Sequence, residues 1–307
     1  MKKRVASVLF LISVTILCGR LSIELKPQFS ATSEEVGIYF GFDGNTVSDK
    51  YTHSENFQLI SLEGSITGNR AFFKWHYTST DGLGLGALEK DLHNYWHELT
   101  FRLMRRDWYE LYAYSSYFKK ELTIPDETEY MATNSKYLLG AGVRSNPQLA
   151  LANMQFTDFT QGGAFGCIYL GAGSYRNEVE IPASNPSSPY SGSWEFEASE
   201  DFGAVFLIDM GFIWIPRWGY AAAKMKVGGF MSGTSQTNGS NNDGQMVNGS
   251  ISFHTAAGIQ LSKRINLGAA FIISDENCRN EDDEMDGSHF ATTAFNLFCT
   301  INFSVFE

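Results

Sequence analysis

The chain has 307 residues, 43% of them hydrophobic, yet no apolar run long enough for a spanning helix, which excludes an α-helical membrane protein. A net charge of −11 excludes the basic footprint expected of a nucleic-acid binder. Seven prolines and no long low-complexity run exclude a disordered chain, while the length fits one large domain or two ordinary ones.

Met1-Lys2-Lys3-Arg4 followed by the apolar Val5–Leu17 segment has the layout of a secretory signal peptide. Residues 1–20 are therefore read as a leader, cleaved between Leu17 and Ser22, and residues 21–307 as one mature domain. Cys18 raises a lipoprotein alternative, against which Leu17 stands where a small residue is wanted. Cys167, Cys278 and Cys299 remain, an odd number without framework spacing, and are expected to be unpaired.

In the mature chain apolar residues recur at every second position, the signature of strands with one greasy face. Val36–Asp43 is the first clear strand, followed by a polar loop from Gly44 to Glu55 and a weaker strand over Phe57–Gly64. Arg70–Tyr77 sets Ala71, Phe73, Trp75 and Tyr77 against Arg70, Phe72, Lys74 and His76. Asn94–Met104 and Trp108–Phe118 are joined by a tight turn, and Lys136–Arg144 follows a loop over Thr123–Ser135. The segment 146–159 reads as a short helix or one more strand. Gly163–Tyr175 and Phe202–Ile215 flank a long polar loop. A tight turn at Pro216–Gly219 leads into Tyr220–Met231, and Ser232–Asn248 is a long loop. Gly249–Ser274 is the sharpest hairpin: Ile251, Phe253, Ala257, Ile259 and Leu261 alternate, then Ile265, Leu267, Ala269, Phe271 and Ile273. An acidic loop runs from Asp275 to Asp286, and the chain closes with His289–Phe306.

About twelve strands result, and ten or fourteen if the weakest pair is lost or Leu21–Phe29 and 146–159 are added. Long and tight connections alternate along the chain, with 146–159 the exception. That parity, with apolar faces opposite small and polar ones in roughly ten-residue segments, predicts an all-β, up-and-down transmembrane antiparallel barrel. Closure is the physical requirement, because in lipid an unpaired backbone group costs several kcal/mol. Trp75, Tyr77, Tyr109, Trp214 and Trp218 suit interfacial girdles, with core aromatics of a soluble β-protein as the alternative.

The leader, the alternating strands and the terminal Phe303-Ser304-Val305-Phe306 resemble bacterial outer-membrane β-barrel proteins. The resemblance implies residence in the outer membrane, contact with its lipid, and assembly by the machinery that reads a terminal aromatic residue. Here Phe306 is penultimate and Glu307 last, a departure from that pattern.

If the greasy faces meet lipid, the opposite faces line a lumen. Its basic candidates are Arg70, Lys74, His76, Arg102, Lys136, Arg144, Lys224, Lys226 and His254, and its acidic ones Glu98, Glu110 and Asp209. The excess of base predicts a passive channel for small polar or anionic solutes. The alternatives are a non-conducting barrel of paired charges and a barrel that mounts adhesive loops.

No cofactor or metal is expected. His93 and His97 form H-x-x-x-H, but the glutamate of a zinc-protease helix is missing, and on a strand the pair shares an outward face. The acidic loop lacks the Asp/Asn-Gly ladder of a calcium loop. An enzyme is not expected either: the Ser-rich segment 184–194 has no histidine near it to activate a serine.

Overall fold

The computed structural model describes residues 22–42, 46–68, 70–79, 91–124, 130–145, 154–157, 160–181, 194–216, 218–237, 240–241, 245–280 and 287–304. The leader, Cys18, the acidic run 281–286 and the terminal residues 305–307 lie outside them.

Twelve strands form the wall: β1 (Ser22–Phe42), β2 (Thr46–Thr67), β3 (Ala71–Ser79), β4 (Asp91–Arg105), β5 (Tyr109–Ile124), β6 (Tyr130–Ser145), β8 (Thr160–Ile181), β9 (Trp194–Pro216), β10 (Gly219–Phe230), β13 (Met246–Gln260), β14 (Ile265–Asn280) and β15 (Gly287–Ser304). Three short strands decorate it: β7 (Met154–Thr157), β11 (Thr234–Thr237) and β12 (Ser240–Asn241). Each wall strand pairs antiparallel with the next, and the last pairs with the first through Ile23↔Phe303, Phe29↔Leu297 and Val36↔Phe290. The ring has no edge, so the wall's backbone is satisfied without help from solvent.

The outer face carries the alternating residues. Ile251, Phe253 and Ile259 on β13, Leu267, Phe271 and Ile273 on β14, and Phe295 and Leu297 on β15 are 39–50% exposed. None of the described residues covers this row, and a continuous apolar belt facing outward is a surface only lipid can cover at low cost. Aromatics accompany it. Trp214 meets Trp218 edge-on at 6.2 Å and Trp108 meets Tyr109 at 4.5 Å, both beside tight turns.

Four short connections gather at one end, although the three-residue link between β1 and β2 lies at the other. Both described chain ends lie at one end of the ring with the β2–β3, β4–β5, β9–β10 and β13–β14 connections, the periplasmic end of an up-and-down barrel. The segment read as helix or strand contributes β7, a short strand folded back on Gln161 and Gly162, on the same side.

Three sequence expectations are corrected. Leu21–Phe29 and Val36–Asp43 are not separate strands: both fall in β1, and the polar Gly44–Glu55 loop is largely the start of β2, paired with β1 from Phe42↔Thr46 onward. Asp275 and Glu276 are not loop residues but the last turn of alternation in β14, which runs to Asn280. The loop 232–248 is partly strand, since β11 pairs with Phe196–Ser199 of β9. The physical reason is common to all three. Beyond the lipid the outer face meets water, so the strand continues while its apolar alternation stops.

Candidate lumen site

On every wall strand the residues between the lipid-facing ones point inward. The register places Lys74, His76, Glu98 and Arg102 of β3 and β4 on this face, with Glu110 of β5, Lys136 and Arg144 of β6, Asp209 of β9, Lys224 and Lys226 of β10 and His254 of β13. Arg70 differs: it sits exposed in the turn before β3.

The same face holds acids that strand-by-strand reading passed over, namely Glu24, Glu34, Glu63 and Glu276. They change the interior from basic to paired. Lys74 Nζ lies 2.9 Å from Glu63, with Lys26 at 3.9 Å on the same carboxylate. Glu110, 2% exposed, receives Arg144 Nε at 2.9 Å and Nη2 at 2.7 Å, with Arg102 at 3.4 Å and Arg105 at 3.7 Å. Lys224 Nζ meets Asp209 at 2.6 Å. The excess of base inferred from the sequence came from leaving Glu34 between strands, reading Glu63 in a weak strand and placing Glu276 in a loop.

Two pairs reach across the lumen. Lys120 of β5 donates to Glu34 of β1 and, at 2.7 Å, to Thr292 of β15, whose hydroxyl donates to Glu34 at 2.8 Å. Lys136 of β6 lies 2.7 Å from Glu276 of β14. Asn248 and Asn177 donate to the same Glu276 oxygen at 2.8 and 3.4 Å. These strands are not neighbours in the ring, so each pair is a strut through the interior.

Around the struts the extracellular half is packed. Tyr175 of β8 lies 4.8 Å from the Phe230 ring and accepts or shares the Cys278 thiol hydrogen at 3.8 Å. Val179, Phe196, Met246, Asn177, Asn248 and Cys278 have no exposed surface. Non-neighbouring β9 and β15 come within 8 Å, Cα to Cα. The thiols of Cys167, Cys278 and Cys299 are free.

The periplasmic half is hollow. A cavity of about 390 Å³ is lined by Glu24, Lys26, Ile213, Tyr220, Gln260 and Asn266, among others. Here the inward positions of β10, β13 and β14 are small: Ala222, Ala256, Gly258, Gly268 and Ala270. Tyr220 lies flat over Gly258 and Phe298 over Gly268, where a Cβ would come within 2.7 and 2.5 Å of the rings. These rings lie against the wall beside the cavity.

His97 is on a strand, not a helix. It accepts or donates at 3.0 Å with Tyr95 and packs among Phe73, Tyr95 and Tyr117 on the outer face. Among the described residues no group of three potential ligands could hold a metal.

No protein-family model and no curated protein matches the chain. Solved structures match across nearly its whole length. The outer membrane protease OmpT from Escherichia coli is 7% identical, covering 93% of this chain and 97% of that one, with a TM-score of 0.42. The translocator domain of autotransporter NalP from Neisseria meningitidis is 11% identical, covering 96% and 97%, at 0.45. The Pseudomonas putida toluene transporter TodX is 9% identical, covering 96% and 92%, at 0.37. Values this low carry nothing about activity. The closed twelve-stranded ring and its uncovered apolar belt are those of a bacterial outer-membrane β-barrel, and the chain is such a barrel.

Proposed function

We propose that this outer-membrane barrel is non-conducting at rest, a structural or surface-interaction mount whose lumen is shut from within. The observation that carries this reading is the pair of struts, Lys120–Glu34 and Lys136–Glu276, set among largely buried residues across the extracellular half. Each strut fills the axis with two long side chains whose charges neutralise each other. Unlike exposed residues ringing a pore, they leave little free charge for an ion to follow. No catalytic step is assigned to any residue.

Planar-bilayer recording of refolded protein tests it. The expected result is no unitary current at any voltage, while a steady ohmic conductance from the unmodified protein overturns the reading.

The second reading is a passive channel for small polar or anionic solutes, entered from the periplasmic cavity and opened by parting of the struts. Lys224, Lys226 and His254 favour it, because they cluster on neighbouring inward positions beside that hollow half. Under this reading current flows once the struts are removed, and Lys224→Glu with Lys226→Glu then shifts the reversal potential away from anions. An unchanged reversal potential in that background counts against anion preference.

A further inference from the structure

The struts and the cavity account for the inside of the barrel but not for the charge on its periplasmic rim. The chain is strongly acidic, yet the tight turns are basic. Arg70 stands in the β2–β3 turn, Arg105 and Arg106 at the β4–β5 turn, and Lys263 and Arg264 in the β13–β14 turn, all exposed. Arg105 leans on Glu110, which faces inward and also takes Arg102 and Arg144, and Asp107 stands beside Arg106 in the same turn, so the outward charge of the rim rests on Arg70, Arg106, Lys263 and Arg264. Above the apolar belt at the opposite end the outer face turns acidic instead, with Glu121, Glu178, Glu180, Glu195, Glu197 and Asp201 set against Lys119 and Arg176.

The basic turns are held by backbone, not left to swing. Arg102 N donates to Arg70 O at 2.7 Å, which ties the first turn to β4. Asn302 N donates to Arg264 O at 2.8 Å, tying the third to β15, and Ser262 Oγ accepts from the amides of Arg264 and Ile265. Arg106 N donates to Tyr109 O at 2.8 Å.

These cations also sit where the lipid-facing rows end. Leu103, Leu261 and Ile265, 61, 58 and 39% exposed, stand at the ends of these rows close to Arg106, Lys263 and Arg264. Trp108 and Trp218, 68 and 59% exposed, stand at the same level. A Trp beside a Lys or Arg at the end of an apolar belt marks the headgroup layer, where the ring takes the interface and the cation reaches a phosphate.

From this placement we infer that the periplasmic rim binds the headgroups of anionic phospholipid in the leaflet that faces the periplasm, and so recruits an annulus of such lipid around the barrel. Each exposed cation near an anionic surface gains on the order of 1 kcal/mol, roughly a five-fold local preference. Backbone anchoring keeps the cations at headgroup height, so that preference is concentrated on the lipid that touches the belt. The acidic outer face at the other end repels the same headgroups, which makes the recruitment one-sided.

The test uses full-length mature protein refolded into vesicles of phosphatidylcholine containing a trace of spin-labelled lipid. The motionally restricted fraction of spin-labelled phosphatidylglycerol is compared with that of spin-labelled phosphatidylcholine. The expected outcome is a selectivity of several-fold for phosphatidylglycerol. It falls toward one in high salt and in the variant Arg70→Gln, Arg106→Gln, Lys263→Gln, Arg264→Gln, while heat-modifiable migration on unboiled gels is kept. Should that variant not refold, Lys263→Gln with Arg264→Gln alone is expected to lose part of the selectivity. A ratio of one in the unmodified protein overturns the inference, and the rim would then fit a soluble acidic partner. A selectivity that survives both salt and the variant overturns it as well.

Discussion

In the extracellular half of the lumen, β6 and β14 face each other through Lys136 and Glu276, and Tyr175, Phe230, Met246 and Cys278 fill what the struts leave. In the periplasmic half, β10, β13 and β14 carry alanine and glycine at inward positions and leave a cavity of about 390 Å³. The difference does not come from topology, since the three strands are common to both halves. It comes from side-chain length at inward positions. Long polar side chains meet across the axis, whereas small ones let Tyr220 and Phe298 lie on the wall. One half is therefore a protein core and the other a vestibule, with different sensitivity to substitution.

The largest expected effect lies in the core half. Glu276→Leu leaves the Lys136 ammonium buried without its carboxylate and should cost about 3–5 kcal/mol, read as a lower midpoint of urea unfolding. Replacing both partners, Lys136→Met with Glu276→Leu, should restore stability to the unmodified level or above, because neither charge then has to be desolvated. If the double variant is as unstable as the single one, Glu276 works through its asparagine contacts and not through the strut.

An intermediate effect is expected where wall strands approach closely. Gly140 and Gly171 face each other between β6 and β8, and a Cβ on Gly140 would lie 2.4 Å from the Leu170 carbonyl oxygen. Gly140→Val should cost about 1–3 kcal/mol by overpacking, measured by the same unfolding curve. No loss would mean that the two backbones can separate freely there.

The smallest effect belongs to the hollow half. Lys224, 40% exposed at its side chain, bridges Asp209 between the inward faces of β10 and β9. Lys224→Gln should change stability by about 1 kcal/mol or less, because a partly solvated pair is screened. A loss as large as that of Glu276→Leu would erase the contrast between core and vestibule.

The sequence was most legible where the environment is most uniform. From Ile251 to Ile273 lipid lies on one side and an enclosed interior on the other, so each second residue reports its side and the hairpin reads directly. Thr46–Glu55 and Asp275–Glu276 were read as loop, because past the belt both faces of the strand are polar and the period-two signal vanishes. The lumen residues were legible only as a face. Lys136 and Arg144 could be placed there, but nothing in the chain marks Glu276, 140 residues later, as the strut for Lys136.

By itself the sequence determined that this is a lipid-facing ring of about twelve strands, because burial in lipid is a local demand made on every strand in turn. Whether the ring is open or shut was decided only by the tertiary structure. That depends on which inward side chains meet across the axis, and such meetings follow from ring closure and register, which bring together residues far apart in the chain.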